Sequence, residues 1–318
     1  MKVRTAKVCF AVLAAVLIVL NGLTLLSALP YTTGTGTFCD SHVGCITVAR
    51  DFSAYYEAGY RFLFNPTQVY HEGNVSGDYQ ILPNPQMYRY APFFLPLFMV
   101  PLVVSFSYQN ALWAFDVLQF ALLPLIAYLL FDIMRRVSRR GDFVDNRTFA
   151  AFSLTALFAL LQPFVLSASI LTFWSWSYWR MWVNGEARVL QLFFLVLTVC
   201  LLLRGSRLSG LTFVLSSFDP RMSILCLPLI LFLCLKVGGL RRFALSSVAS
   251  FALIYVPTLL YANLGGQFYG TIFIKDFTIY SYEWIPILSI ISLTATIIAL
   301  ELTKRIEIGK PKVAVGIE

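Results

Sequence analysis

The chain reads as an all-α, polytopic membrane protein forming a single transmembrane domain over residues 1–318. Three observations carry that reading. Hydrophobic residues make up 58% of the chain and charged residues only 13%, against about 25% charged in a soluble domain. Apolar runs near the ~20 residues that a membrane helix needs recur along the whole length. Basic residues mark the ends of those runs: 17 of the 24 Lys and Arg fall in five clusters, at 2–7, 135–147, 204–207, 236–242 and 304–312. The short alternating segments of a β-barrel do not occur in the pattern.

The clusters set a parity, because Lys and Arg collect in short cytoplasmic loops. The amino terminus is predicted inside, and Val8–Leu29 crosses outward. That run is too long for a signal-peptide core and lacks a small-residue cleavage site, so it is expected to be retained. Residues 30–91 form the first outward loop, aromatic and punctuated by Gly, Pro and Asn. It holds the glycosylation sequon Asn74-Val75-Ser76; a second, Asn146-Arg147-Thr148, falls beside a basic cluster and is expected inside.

Residues 92–133 are long enough for two spans, yet the arginines that follow require an odd number of crossings. The stretch PFFLPLFMVP, with prolines at 92, 96 and 101, is therefore predicted to lie in or re-enter the outer leaflet. Asn110–Met134 is then the return span. Phe149–Phe173 goes out and Val189–Leu203 comes back. Leu208–Phe218 and Met222–Leu235 make a short hairpin around Asp219-Pro220-Arg221. Phe243–Tyr261 goes out and Ile285–Thr303 returns. The total is about 8 transmembrane helices plus an outer-leaflet re-entrant or juxtamembrane segment.

The formal charge of +8 is thus mostly topology, and no nucleic-acid partner is implied. Cys9, Cys200, Cys226 and Cys234 lie in apolar runs and read as packing residues. Cys39 and Cys45 flank DSHVG in the outward loop. A disulfide there suits an oxidising compartment, whereas a zinc site through His42 matches no standard ligand spacing.

Seven basic residues stand outside the clusters: Arg50, Arg61, Arg89, Arg180, Arg188, Arg221 and Lys275. Asp51, Glu57, Glu72, Asp78, Glu186, Asp219, Asp276 and Glu283 fall on the same side. Interfacial anchoring explains many of the neighbouring Tyr and Trp. Arg221 asks for more, since a charge at membrane depth costs about 2.5–3.5 kcal/mol. Its partner is either Asp219 or a lipid-linked phosphate, whose oxygens a guanidinium fork matches. Asp132 reads as an inner-boundary charge. Asp116 reads as buried and without an assigned role.

The stretch DFSAYYEAGYRFLFNPTQVY from Asp51, followed by YRYAPFFLPLFMVP, resembles the opening of the polyprenyl-phosphate-mannose-dependent mannosyltransferases of the GT-C fold, the PimE-like α-1,2-mannosyltransferases. The matching positions are Asp51, Phe52, Tyr55, Tyr70, Tyr88, Tyr90 and Pro92. NGEARVLQLFF and the hairpin after it resemble the family's later block. Two positions depart: Glu186 and Arg188 stand where that family has Gln and Asn, and Arg221 follows Pro220 where a Lys before a proline is usual. The resemblance covers roughly residues 45–240, and the chain is short for the family.

The resemblance implies a sugar donor on polyprenyl or dolichyl phosphate and a glycan or glycolipid acceptor, both reached from membrane lipid on the outer face. It implies Asp51 as general base in an inverting transfer. A phosphate leaving group needs cations; Arg221 is the first candidate, then Arg188 and Lys275. Tyr55, Tyr88, Tyr90, Arg50 and Glu186 are candidates for substrate binding, with Arg50 placed to keep Asp51 ionised. No Asp-x-Asp pair or His cluster marks a metal site, so neither metal nor cofactor is expected. The alternatives are a lipid or solute transporter or flippase, and a non-catalytic GT-C relative. A prokaryotic plasma membrane, archaeal included, fits the short loops; the endoplasmic reticulum is the other location.

Overall fold

Helices dominate the computed structural model, which describes residues 37–40, 44–47, 49–71, 73, 77, 78, 87–139, 182 and 184–271, with Val19 and Leu26. The predicted spans 149–173 and 285–303 lie outside the described residues, as do Lys275, the sequon at 74–76 and the rest of 8–29. Among the described residues, eight α-helices follow a small hairpin: α1 Arg50–Phe64, α2 Val100–Ser105, α3 Tyr108–Arg139, α4 Arg188–Leu203, α5 Ser209–Ser216, α6 Pro220–Val237, α7 Leu240–Leu260 and α8 Leu264–Tyr269. Strands β1 Thr37–Asp40 and β2 Gly44–Thr47 pair antiparallel with Cys39 opposite Cys45. This hairpin is a local departure from the all-α expectation. Its register suits the disulfide reading, because directly opposed residues stand about 4.5–5.5 Å apart at Cα, within the span a disulfide bridges.

Among the described residues, two segments are long and apolar enough to cross a membrane, Tyr108–Ile133 and Leu240–Tyr269. At ~1.5 Å per residue, the first runs about 39 Å, past the ~30 Å hydrocarbon layer. Leu245, Val248, Leu253 and Leu260 on α7 are all more than half exposed. Apolar surface of that kind is what lipid covers and water does not tolerate in large patches. A mostly helical chain with such helices is compatible with an all-α membrane protein.

The stretch after Pro92 behaves differently. A π-turn over Leu95–Met99 runs into α2, and the chain turns extended at Phe106. The whole piece spans 11 residues, about 16 Å, too short to cross. Prolines 96 and 101 sit in its first turns, where a missing N–H costs least.

Helix α1 occupies part of what the composition suggested was loop. It buries residues beyond its apolar stripe, including Glu57 and Arg61. Gly59 sets its approach to the broken helix: a Cβ there would stand 3.0 Å from Val103 Cγ2 and 3.1 Å from Met99 Cβ.

Arg61 ties α1 to the chain that follows it. All five of its N–H groups are used. Nε and Nη2 donate to the Asp78 carboxylate at 2.9 and 2.5 Å. Nη1 donates to the carbonyls of Gln68 and His71, and Nη2 to that of Gly73. Glu57 stands 3.8 Å away on the same helix. Arg61 is 2% exposed, so this guanidinium acts as a structural clamp and has no donor left for a ligand.

Behind α1, the bundle packs α3 on α4, α4 on α5 and α5 on α7. Gly210 carries the α5–α7 contact. A Cβ at that position would lie 2.3 Å from the Ser247 backbone nitrogen, so the two backbones touch as small residues allow in membrane bundles. The main core runs from Phe52 and Tyr55 through Phe94 and Phe115 to Phe218.

Candidate functional site

Tyrosines build the floor of the candidate site. Tyr55 on α1 donates its hydroxyl to that of Tyr90 at 2.8 Å, and the rings stack with centroids 4.9 Å apart. Tyr70 donates to the Tyr90 carbonyl at 2.7 Å and Tyr88 to the Ala91 carbonyl at 3.0 Å. All four are buried. The segment that carries Tyr90 is pinned by Ala91 N–H donating to the Phe218 carbonyl at 2.8 Å.

Three carboxylates from distant parts of the chain bear on this pair. Asp51 lies in the first turn of α1, entered through Ala49 in the left-handed region at φ 51°. A helix amino terminus favours a carboxylate there by about 0.3–1 kcal/mol when exposed. Glu186 precedes α4 on the turn Asn184-Gly185-Glu186. Gly185 has φ +64°, and a Cβ would come 2.6 Å from Phe52 Cβ, so only glycine seats this turn on α1. Asp219 closes the α5–α6 turn. Gln191 of α4 holds that turn by donating Nε2 to the carbonyls of Ser216 and Asp219, both at 2.8 Å.

The electrostatics follow from burial. Burial foremost pushes the Tyr90 hydroxyl far above its ordinary pKa of ~10, and Asp219, Asp51 and Glu186 add to it in that order. Tyr55 is raised first by burial, then by Tyr90, Asp51 and Glu186. Both hydroxyls therefore stay protonated and can donate. Tyr70 and Tyr88 are raised for the same chief reason, burial.

Asp51 is half-buried, whereas Glu186 and Asp219 are buried. Glu186 forms an ion pair with Arg188 through its Nε. Arg50 is exposed, and no ion pair joins it to Asp51 among the described residues. Arg221 lies in the first turn of α6, next to Asp219. Tyr55, Tyr88 and Tyr90 pack on one another instead of standing as separate faces.

Asp51, Tyr55, Tyr90, Glu186 and Arg188 thus gather at one end of the bundle. Asp219 joins them, and so does Gln191, which sequence reasoning did not single out. A Gln inside an otherwise apolar helical run was the signal for it. No group of three or more His, Cys, Asp or Glu is arranged to hold a metal among the described residues.

The fold and site thus describe a mostly helical protein with membrane-length helices and an acidic, tyrosine-floored site at one helix end. No family model matches the chain, and neither a curated protein nor a solved structure is detectably similar to it.

Proposed function

We propose that the protein is a membrane glycosyltransferase. It transfers a hexose, mannose first among them, from a polyprenyl or dolichyl phosphate to a hydroxyl of a glycan or glycolipid acceptor. Asp51 takes the proton of the acceptor hydroxyl as that oxygen bonds to the anomeric carbon. The bond from that carbon to the phosphate oxygen breaks on the opposite side, and configuration inverts. Arg221, Arg188 and Lys275 are the candidate cations for the departing phosphate. The site faces the outer side of a prokaryotic plasma membrane.

The observation that carries this reading is the difference among three acids. Asp51, Glu186 and Asp219 all bear on the Tyr55–Tyr90 pair, but only Asp51 is partly exposed. A general base must come within hydrogen-bond reach of its substrate, and the exposed acid is the one able to do so. The test uses membranes holding the full chain, radiolabelled polyprenyl-phosphate mannose and a panel of glycolipid acceptors. Asp51→Asn and Asp51→Ala are expected to lose about 10²–10⁴-fold in transfer rate. Equal transfer by wild type and both variants would sink the role of Asp51.

A transporter is the second reading, and Asp116 favours it. The residue is 1% exposed on the membrane-length part of α3, and neither of its carboxyl oxygens has a hydrogen-bond partner among the described residues. Acids at such depth commonly mark ion or substrate paths. Absence of transfer by the wild type to every acceptor, with uptake that depends on Asp116, would favour it.

A further inference from the structure

The second feature of interest lies at the far end of the helices, where three separate basic stretches meet. Asp132 near the end of α3 accepts from Arg136 Nε at 2.8 Å through Oδ2. The same oxygen accepts from Arg204 Nη2 at 2.8 Å and Nε at 3.3 Å, at the end of α4. One carboxylate oxygen therefore serves two guanidinium groups. Gly205 follows with φ +71°, and a Cβ there would meet Arg242 Nη1 of α7 at 3.9 Å. Arg242 thus stands beside the turn that carries Arg204. Arg207, two residues beyond Gly205, is exposed, as are Arg135, Arg241 and Arg242. Among the described residues, Asp132 is the only carboxylate on these helix ends.

The tendency of arginines to stay on the cytoplasmic side accounts for their presence in each loop. It does not account for arginines of α3 and α4 sharing one acid beside a third, Arg242 of α7. Like charges within a Debye length of ~8 Å repel even at physiological salt, and the guanidinium fork is built for phosphate oxygens. We propose that the α3, α4 and α7 ends, through Arg136, Arg204, Arg207 and Arg242, form a binding site for the phosphate headgroup of an anionic phospholipid. The lipid's acyl chains would lie along the exposed apolar side chains of α7. This site is separate from the Tyr55–Tyr90 end and does not depend on the transfer reaction.

The experiment is native mass spectrometry of the full chain, released from vesicles of phosphatidylglycerol and phosphatidylcholine mixed in equal amounts. Phosphatidylglycerol is expected to be retained and phosphatidylcholine lost. Arg207→Gln/Arg242→Gln spares the Asp132 contacts and should weaken retention about 30-fold, about fivefold for each arginine. Raising the salt should weaken it further. If the double variant fails to fold, each single exchange is read alone against the fivefold expectation. Equal retention of the two lipids, or undiminished retention by the variants, overturns the proposal. Displacement of the lipid by millimolar inorganic phosphate, with phosphate itself retained, overturns the lipid assignment in favour of a soluble anion.

Discussion

Four of the buried tyrosines, those of the site floor, make the protein sensitive to alkali in a way that can be worked out. The folded chain holds Tyr55, Tyr70, Tyr88 and Tyr90 protonated well above the ordinary range, chiefly through burial. The unfolded chain releases those protons near pH 10. Above that pH the folded state binds more protons than the unfolded one, so stability falls as pH rises. Below pH 10 both states hold the protons and the term vanishes. Each group contributes about 1.4 kcal/mol per pH unit, and four contribute about 5.5. Against a total stability of about 5–15 kcal/mol, these four alone should bring unfolding about one to three pH units above 10. The assay follows tyrosinate absorbance and helical circular dichroism together. Some of the 16 tyrosines should titrate reversibly near pH 10, and the buried set only as helicity is lost. Tyr70→Phe/Tyr88→Phe should lower the slope of stability against pH by about 2.7 kcal/mol per pH unit. The hydrogen bonds it removes lower stability at neutral pH and leave the slope alone. One reversible step near pH 10 with helices intact would refute the reasoning, as would an unchanged slope in the variant.

Other consequences are simpler to read. Gly210→Ala should cost at least about 1–3 kcal/mol in thermal unfolding, and Ser246→Gly should not rescue it. The Ser247 backbone nitrogen, 2.3 Å from the new Cβ, remains in the way. Arg61→Met should cost about 3–5 kcal/mol, since it removes one partner of a buried ion pair with Asp78; faster proteolysis within 65–78 would report the loss of the clamp. Arg61→Lys, with three donors in place of five, should recover only part of it. Asp116→Leu should raise stability by about 1–3 kcal/mol by removing an unpartnered buried polar group. A fall instead would mean that Asp116 has a partner.

The long helices were legible because length and hydropathy alone define them. Tyr108–Arg139 contains the return span expected at 110–134, and Arg188–Leu203 starts one residue before its expected start. The break after Pro92 was legible too, since three prolines and an odd number of crossings both argued against a span. Helix α1 was not. Its buried Glu57 and Arg61 look like solvent-facing charges until the Asp78 and carbonyl partners are known, and those lie 7 to 17 residues away. The β1–β2 hairpin was missed because the run from Thr37 to Thr47 is too short and too polar to stand out. The tyrosines were visible as a cluster, but their use was not. Tyr55 meets Tyr90 across 35 residues, and no local pattern encodes that contact. Asp219 was read only as a partner for Arg221. Its charge bears on Tyr90 because Gln191 and the Ala91–Phe218 hydrogen bond bring two turns together.

Burial also sorts the roles that the acidic site can distribute. Glu186 is held by Arg188 and by a turn that only glycine fits, so its charge is fixed in place. Asp219 sits on a turn whose carbonyls Gln191 clamps. Neither can move far to meet a substrate without breaking a contact that positions a helix. Asp51 is only partly buried, in the first turn of α1. The Tyr90 oxygen already accepts from Tyr55, which leaves its own proton to donate. Three negative charges nearby and full burial keep that proton in place through the neutral range. In the proposed transfer, Asp51 is therefore the acid at the edge of the site, and the Tyr55–Tyr90 pair is its fixed floor. That division does not need the two groups to exchange roles, because the environments that set them differ in solvent access and not merely in distance.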